Sequence, residues 1–405
     1  MTIGGVRADA LAAEFGTPAL FIDTGVLDRA VDAMLAAGAP HNIAVSYAGK
    51  ALLLTALARH LHRSPIGIDV CSLGELLTAE RGGFEPYRLT MHGAGKTDEE
   101  LDAALFGRVG RLVIDGMDEL RRLVARAQGR GVDVLLRFNT GIEAHTHDFI
   151  RTAGERSKFG FAPAQVEEAA VLLRGCPSLR VRGVHGHIGS QIFEAMPFVE
   201  NAQRLVALLE RVRATGFGDA QTIVVGGGFG VQMEPGAIDQ TIDVAGTLDA
   251  VARVVPPGIR VEIEPGRSLI AAAGTSLYRI VAIKQFDTRR FVIVDGSLAD
   301  NPRPALYGSY HHFEAVAPSG APLARVMVCG RSCESDELGE AMLPADVRAG
   351  DVVAMRTTGA YTYSMASNYN RFPRPPVVAV GGGNAHLWAR REDTESLLDA
   401  DAEKV

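Results

Sequence analysis

Residues 222–230 read TIVVGGGFG, a β-branched run that stops abruptly at three glycines. Consecutive apolar residues of this kind suit a strand buried on both faces, as in a parallel sheet. The glycines allow positive φ and leave amide N–H groups bare. That serves either a tight strand-to-helix turn or a cradle for an anion such as phosphate. Outward from this stretch the same texture recurs. Ile43–Tyr47, Ile66–Cys71, Leu89–His92, Leu112–Asp115, Asp133–Phe138, Val181–His187, Thr222–Val225 and Val261–Glu264 are predicted as strands. The segments between them, such as LTALARHL, DELRRLVARAQ, AQVEEAAVLL and FVENAQRLVALLERVRA, carry helical periodicity. Eight strand–helix repeats in roughly 230 residues predict a (βα)8, TIM-like barrel. A doubly wound sheet is the alternative, but it more often has fewer strands.

Beyond about residue 275 the helices fade. RRFVIVDG, ARVMVCG and DVVAMRTTG are β-like and separated by turns. The expected class is therefore α/β plus β, with a barrel domain over residues 25–275. Residues 1–24 plus 276–405 form a mainly-β, sandwich- or barrel-like domain, to which the early strand in ALFIDTGVL is expected to pair. Composition narrows the class of function. A net charge of −7 without a long single-sign run argues against a nucleic-acid surface. No apolar run approaches the ~20 residues that span a bilayer, and no basic stretch followed by an apolar one marks a leader. Cys71, Cys176, Cys329 and Cys333 follow no disulfide pattern, so a cytoplasmic protein with reduced thiols is expected.

Barrel chemistry gathers at the C-terminal ends of strands, and the unusual residues fall there. Lys50 follows the first predicted strand, Asp69 and Ser72 the second, and His92 the third. His185 and His187 end the sixth, Gly226, Gly227 and Gly228 the seventh, and Glu264-Pro265-Gly266-Arg267 the eighth. A lysine and a carboxylate at buried strand ends are costly unless paired or used, and Ser190 adds a hydroxyl donor. Together they suit a Schiff-base cofactor with a phosphate tail and a ring nitrogen that needs a partner. The pairs His145/His147 and His185/His187 are spaced for zinc. No further Cys, His or Asp at strand ends completes a ligand shell, so no metal is expected.

SYAGKA around Lys50, DVCSLGEL at 69–76, HGHIGSQ at 185–191, GGGFG at 226–230 and EPGRS at 264–268 resemble the fold-type III pyridoxal-phosphate decarboxylases. HTHDF at 145–149, SKFG at 157–160, RPALYGSYH at 303–311, CES at 333–335 and GAYTYSMASNYNRFPRP at 359–375 narrow the likeness to the diaminopimelate decarboxylases. The resemblance runs from about Phe15 to Leu398. It implies pyridoxal 5'-phosphate joined to Lys50 and stacked on His187, with its ring nitrogen paired to Glu264. Ser190, the Gly226–Gly228 turn, the Gly266-Arg267 backbone and Tyr361 would hold the phosphate, and Asp69 and Glu75 would lie near the lysine and histidine. Arg267, Arg303, Tyr307 and Glu334 would read the far end of an amino-acid substrate, and Cys333 would donate a proton. The resemblance also implies a homodimer with shared active sites, conversion of meso-diaminopimelate to L-lysine and carbon dioxide, and a place in lysine biosynthesis.

The chain departs from the family pattern at Val224, where an aspartate is common, at Arg331, where a proline usually precedes CES, and in a shortened stretch after Glu334. The last two lie beside the substrate-reading residues, so lysine, ornithine or a carrier-linked amino acid are alternative substrates. A racemase on the same barrel is a second class, and Glu264 speaks against it because such enzymes place arginine at the ring nitrogen. A non-catalytic cofactor carrier or decayed regulator is a third, against which Lys50 and Cys333 both stand.

Overall fold

The computed structural model of the chain describes residues 1–142, 157–234, 241–399 and 401. The chain divides into two compact units. Val31–Val231 with Asp239–Ser268 forms one, and Met1–Ala30, Gln232–Ile238 and Leu269–Val405 form the other.

The first unit is a closed barrel of eight parallel strands. They are β1 (Ala44–Ala48), β2 (Gly67–Val70), β3 (Leu89–Met91), β4 (Arg111–Ile114), β5 (Val132–Arg137), β6 (Leu179–His185), β7 (Thr222–Gly226) and β8 (Arg260–Ile263). Each pairs with its neighbours in chain order, and β8 closes on β1. The eight expected strands are all present, their ends shifted by at most two residues. The largest shift is at β6, which stops at His185 and leaves His187 beyond the ladder.

Inside the barrel, side chains are sorted by depth. Val113, Leu135 and Val224 from β4, β5 and β7 form one buried cluster, each such aliphatic contributing about 1.5–3 kcal/mol by leaving water. Val224, the departure from the family pattern, is thus a core residue. Arg111 of β4 grips Glu262 of β8 through both oxygens at 2.7 and 2.6 Å, and its fork matches the planar carboxylate. Outside, the helix Met196–Ala214 lays Phe198, Ala202, Leu205, Leu209 and Val212 against the barrel at three- and four-residue spacing. Its buried Asn201 donates to the Val225 carbonyl at 3.0 Å and accepts from Thr140 Oγ1 at 2.8 Å. That fixes the end of β7 just before the glycines.

The second unit is built on a nine-stranded sheet. Its long strand Gly274–Gln285 pairs with Ala19–Asp23, Val352–Arg356 and Arg290–Val294. The early strand therefore joins this sheet as expected, pairing also with Val377–Gly381. Neighbours along a strand face opposite ways. Tyr278 accordingly packs in one core with Val292, Val326 and Leu338, while Leu277 packs in another with Leu11, Phe21 and Val378.

Lys96, beyond β3, is a buried cation with no exposed side-chain surface. Its Nζ donates to Glu119 Oε1 at 2.9 Å, to the Val113 carbonyl at 2.6 Å and to the Gly93 carbonyl at 2.9 Å. Lys96→Ala would strand the Glu119 carboxylate without its counter-charge. It is expected to cost about 3–5 kcal/mol, read as a lowered urea midpoint for barrel unfolding. Arg126→Ala, which breaks only surface pairs to Asp98 and Asp102, is expected to leave that midpoint nearly unchanged.

Candidate active site

The residues singled out at barrel strand ends converge. Lys50 sits exposed in a single turn, Gly49–Ala51, directly after β1. The turn is pinned on both sides. Ala48 N donates to the Pro265 carbonyl at 3.1 Å, and a Cβ on Gly49 would come within 2.9 Å of the Asp69 carbonyl oxygen. Tyr47, fully buried, donates its hydroxyl to the Leu52 carbonyl at 2.7 Å. After β2, Ser72 caps the helix Leu73–Arg81 by accepting from Glu75 N at 3.2 Å, and Glu75 Oε2 accepts from Cys71 N at 2.6 Å. Burial raises the Glu75 carboxyl, while that bond and the nearby Lys50 charge oppose the rise.

The triple glycine has a steric cause at every position. Gly226 and Gly228 have φ of +80° and +107°, where a side chain is disfavoured. A Cβ on Gly227 would lie 2.1 Å from the Glu264 carbonyl oxygen, and one on Gly228 2.3 Å from that of Gly189. The loop after β7 is zipped to the loop after β6. Ile192 N donates to the Gly228 carbonyl, Gly230 N to the Ile192 carbonyl, and Val231 N to Gln191 Oε1 at 2.9 Å. Phe229 stacks on Phe198 with centroids 4.7 Å apart. This zipper sets Ser190 beside Arg267, whose Nε and Nη2 lie 3.4 and 3.2 Å from Ser190 Oγ.

Glu264 occupies the centre. Its Oε2 is 3.0 Å from His185 Nε2, and its Oε1 is 3.3 Å from His92 Nε2. The same His92 nitrogen is 3.5 Å from Asp69 Oδ1, which also accepts from Ser46 Oγ at 2.7 Å. At 3.3 and 3.5 Å, His92 attracts the two carboxylates more by charge than by a well-directed hydrogen bond to either. The two imidazoles meet edge to face with centroids 5.2 Å apart. Burial opposes ionisation of Glu264, but the two facing histidines outweigh it and hold its carboxyl well below the usual range. For His92, burial works against the charge, yet Glu264 and Asp69 push its pKa up to about 9. Burial dominates at His185, which falls to about 4. His187 is also driven well below its ordinary value, by burial first and then by the Lys50 and Arg137 charges, with Glu264 pulling the other way. Asp69 is raised by burial and by its neighbour Glu264.

The histidines therefore do not behave as a same-facing pair. His185 turns to Glu264, whereas His187 accepts from Gly227 N at 3.3 Å. His145 and His147 lie outside the described residues. His92, His185 and Glu264 each offer a ligand atom within 4.8 Å of the others, a closeness that their mutual ion pairing accounts for. Two contributors went unrecognised in the sequence. His92 was noted at the rim without a role, and Arg137, ending β5, sits 3.4 Å from Asp115 Oδ1 and covers the Phe159 ring at 4.4 Å.

In the second unit, Arg303 opens the short helix Arg303–Tyr307 and is buried. Its guanidinium lies 5.4 Å from the Tyr307 ring centroid and 5.6 Å from that of Tyr361. Tyr361 adopts φ of +59°, uncommon for a bulky residue and frequent where function fixes the backbone. Cys333 and Glu334 belong to a different, exposed cluster. Cys333 N donates to Asn370 Oδ1 at 3.2 Å, and the Tyr369 hydroxyl donates to Glu334 Oε1 at 2.5 Å. Arg331 anchors that turn by donating to the Asp295 carbonyl at 2.9 Å and covering the Phe372 ring at 4.3 Å. All four cysteines are free. Among the described residues, no helix is long and apolar enough to cross a membrane.

Residues 26–271 match the family of the pyridoxal-dependent decarboxylase pyridoxal-binding domain. The diaminopimelate decarboxylase of Actinosynnema pretiosum subsp. auranticum is 42% identical over 98% of this chain and 92% of its own. That of Bacillus subtilis is 38% identical over 99% and 95%. Among solved structures, diaminopimelate decarboxylase from Helicobacter pylori complexed with L-lysine superposes with a TM-score of 0.90 at 30% identity, covering 96% of this chain and 98% of that one. With the barrel, its rim and nearly every residue of the chain matched, this protein belongs to the diaminopimelate decarboxylase family of pyridoxal-dependent decarboxylases.

Proposed function

We propose that this chain decarboxylates meso-diaminopimelate to L-lysine and carbon dioxide, using pyridoxal 5'-phosphate held at the barrel mouth. The observation that carries the cofactor assignment is Glu264, a buried carboxylate kept ionised by two imidazoles. Such a group favours the protonated form of a ring nitrogen beside it. The other residues fit the same occupant. Lys50 offers an exposed amine for the covalent link, His187 a neutral ring for stacking, and Ser190, Gly228 and Arg267 a set of donors suited to a phosphate. When bound, the cofactor takes up the electron pair left at Cα as the bond to the departing carboxylate breaks.

The protein's own groups do the rest. Asp69 and Glu75 flank the mouth as fixed carboxyl groups. Arg303 is assigned to the distal carboxylate of the substrate, its guanidinium oriented between Tyr307 and Tyr361 so that the fork can take both oxygens. Tyr361 is assigned to the phosphate, and Glu334 to the distal ammonium. Cys333 is assigned as the donor that returns a proton to Cα, where the carboxylate left. Its exposure, and that of Glu334, fits a segment that completes the active site of the partner in a homodimer.

The substrate assignment is tested on purified, cofactor-loaded protein offered meso-diaminopimelate, lysine and ornithine. Lysine and carbon dioxide are expected from the first alone, and turnover of another with none of the first would refute the assignment. Lys50→Ala is expected to lose the absorbance of lysine-bound cofactor and to lower kcat at least roughly a thousandfold. Mixing inactive Lys50→Ala and Cys333→Ala subunits tests the shared site. If each site draws on both chains, every hybrid is expected to recover one of its two active sites, about one site in four over a statistical mixture. No recovery, with hybrids demonstrably formed, would place both residues in one subunit's site.

A further inference from the structure

His92 has no part in the scheme above, yet it is the group that faces both carboxylates of the barrel mouth. We propose that His92 is a positioning residue that acts through Glu264, bridging it to Asp69 so that Glu264 stays ionised and aimed at the ring nitrogen of the cofactor. This rests on the assignment of Glu264 to that nitrogen.

The geometry leaves little else for His92 to do. Its backbone N–H continues the ladder to the Val70 carbonyl at 2.7 Å, which brings the ring to the mouth of the barrel. Its Nε2 then stands 3.3 Å from Glu264 Oε1 and 3.5 Å from Asp69 Oδ1, with 9% of the side chain exposed. A single nitrogen within 3.5 Å of two carboxylates works best as a cation, and burial of all three limits screening. Other charged or titratable groups act on this cluster: Glu75 beside Asp69, Arg111, and Arg137 and the neutral His185 beside Glu264. Arg111 is already committed to Glu262 and Arg137 to Asp115. His185 satisfies only the other oxygen of Glu264. Without His92, Asp69 and Glu264 would face each other with no cation between them. The pair would then take up a proton, since two like charges in one site do not both ionise freely. A protonated Glu264 would no longer hold the ring nitrogen in its charged form.

His92→Phe keeps the bulk and removes both charge and N–H, whereas His92→Gln keeps a donor without charge. Cofactor affinity by absorbance titration, kcat and KM are measured for both, alone and combined with Glu264→Gln. His92→Phe is expected to weaken cofactor binding and to lower kcat by roughly tenfold to a hundredfold, with KM changed less than about twofold. His92→Gln should fall between it and the parent. On the Glu264→Gln background, His92→Phe should add less than about twofold to either loss, because a residue acting through Glu264 has nothing left to act on. Parent-like kcat and affinity in His92→Phe, or losses that multiply in the double variant, would overturn the proposal. Should the variants fail to fold, 15N NMR of histidine in the parent protein decides. One imidazole protonated on both nitrogens above pH 7 is expected, and its absence refutes the cationic bridge. A parent protein that binds no pyridoxal phosphate through Lys50 would instead remove the functional assignment itself, and that result appears before any His92 variant is made.

Discussion

Glu264 is an ionised carboxylate with 11% of its side chain in contact with solvent, and the barrel mouth is organised around keeping it so. Taking such a group out of water costs several kcal/mol even after relaxation. The offset comes from the imidazoles of His185 and His92, one on each oxygen. That arrangement requires the ends of β6, β3 and β8 to meet at hydrogen-bonding range. The close approach in turn requires Gly227, because any Cβ there would strike the Glu264 carbonyl oxygen at 2.1 Å. The glycines serve the carboxylate's position before they serve any ligand.

A layer of neutral contacts holds the charged one. Asn201, reaching from the long outer helix, fixes the Val225 carbonyl, and the zipper between the loops after β6 and β7 fixes Ser190 relative to Gly228. Lys50 is treated similarly. Its turn is caught between the Asp69 carbonyl and Pro265, so a flexible side chain projects from a backbone with little freedom. Functional groups borne on rigid strand ends and braced by neighbouring loops are held more accurately than groups on free loops.

Much of this was legible in the sequence because parallel barrels write a repeated signal. Each inner strand is a short apolar run, and each run ends in a residue too polar or too small for a core. Lys50, Asp69, Gly226–Gly228 and Glu264 were found in that way. The missing parts are those whose partners are distant along the chain. His92 is separated from Glu264 by 172 positions of ordinary sequence, and a lone histidine at a strand end does not announce two carboxylates. His185 and His187 carry zinc-like spacing, but β6 ends between them, so the alternation that would make them face alike no longer applies. Val224, where the family pattern has an aspartate, packs in the buried cluster with Val113 and Leu135. Arg331, where the family pattern has a proline, braces the turn before Cys333 from Asp295 and Phe372.

The charge carried along the barrel axis ties these observations together. Glu262, on β8, pairs with Arg111 of β4, and Glu264, just beyond the end of β8, pairs with His92 and His185. With Asp69 they bring three carboxylates into one narrow interior. Arg111 neutralises Glu262 directly and also feels Asp69 and Glu264, and His92 supplies a second positive charge between the upper two. Arg137 is matched by Asp115 and Lys50 offsets Glu75, so neither pair changes the balance. One negative charge therefore remains at the mouth, beside the oxygen that His92 touches only at long range. Under the proposed function, a protonated ring nitrogen is the cation that completes the set. The buried aliphatics Val113, Leu135 and Val224 offer no compensating charge within the barrel. An interior left one positive charge short favours an occupant that brings it, which gives the barrel a reason to select the charged form of its cofactor without any residue donating that proton itself.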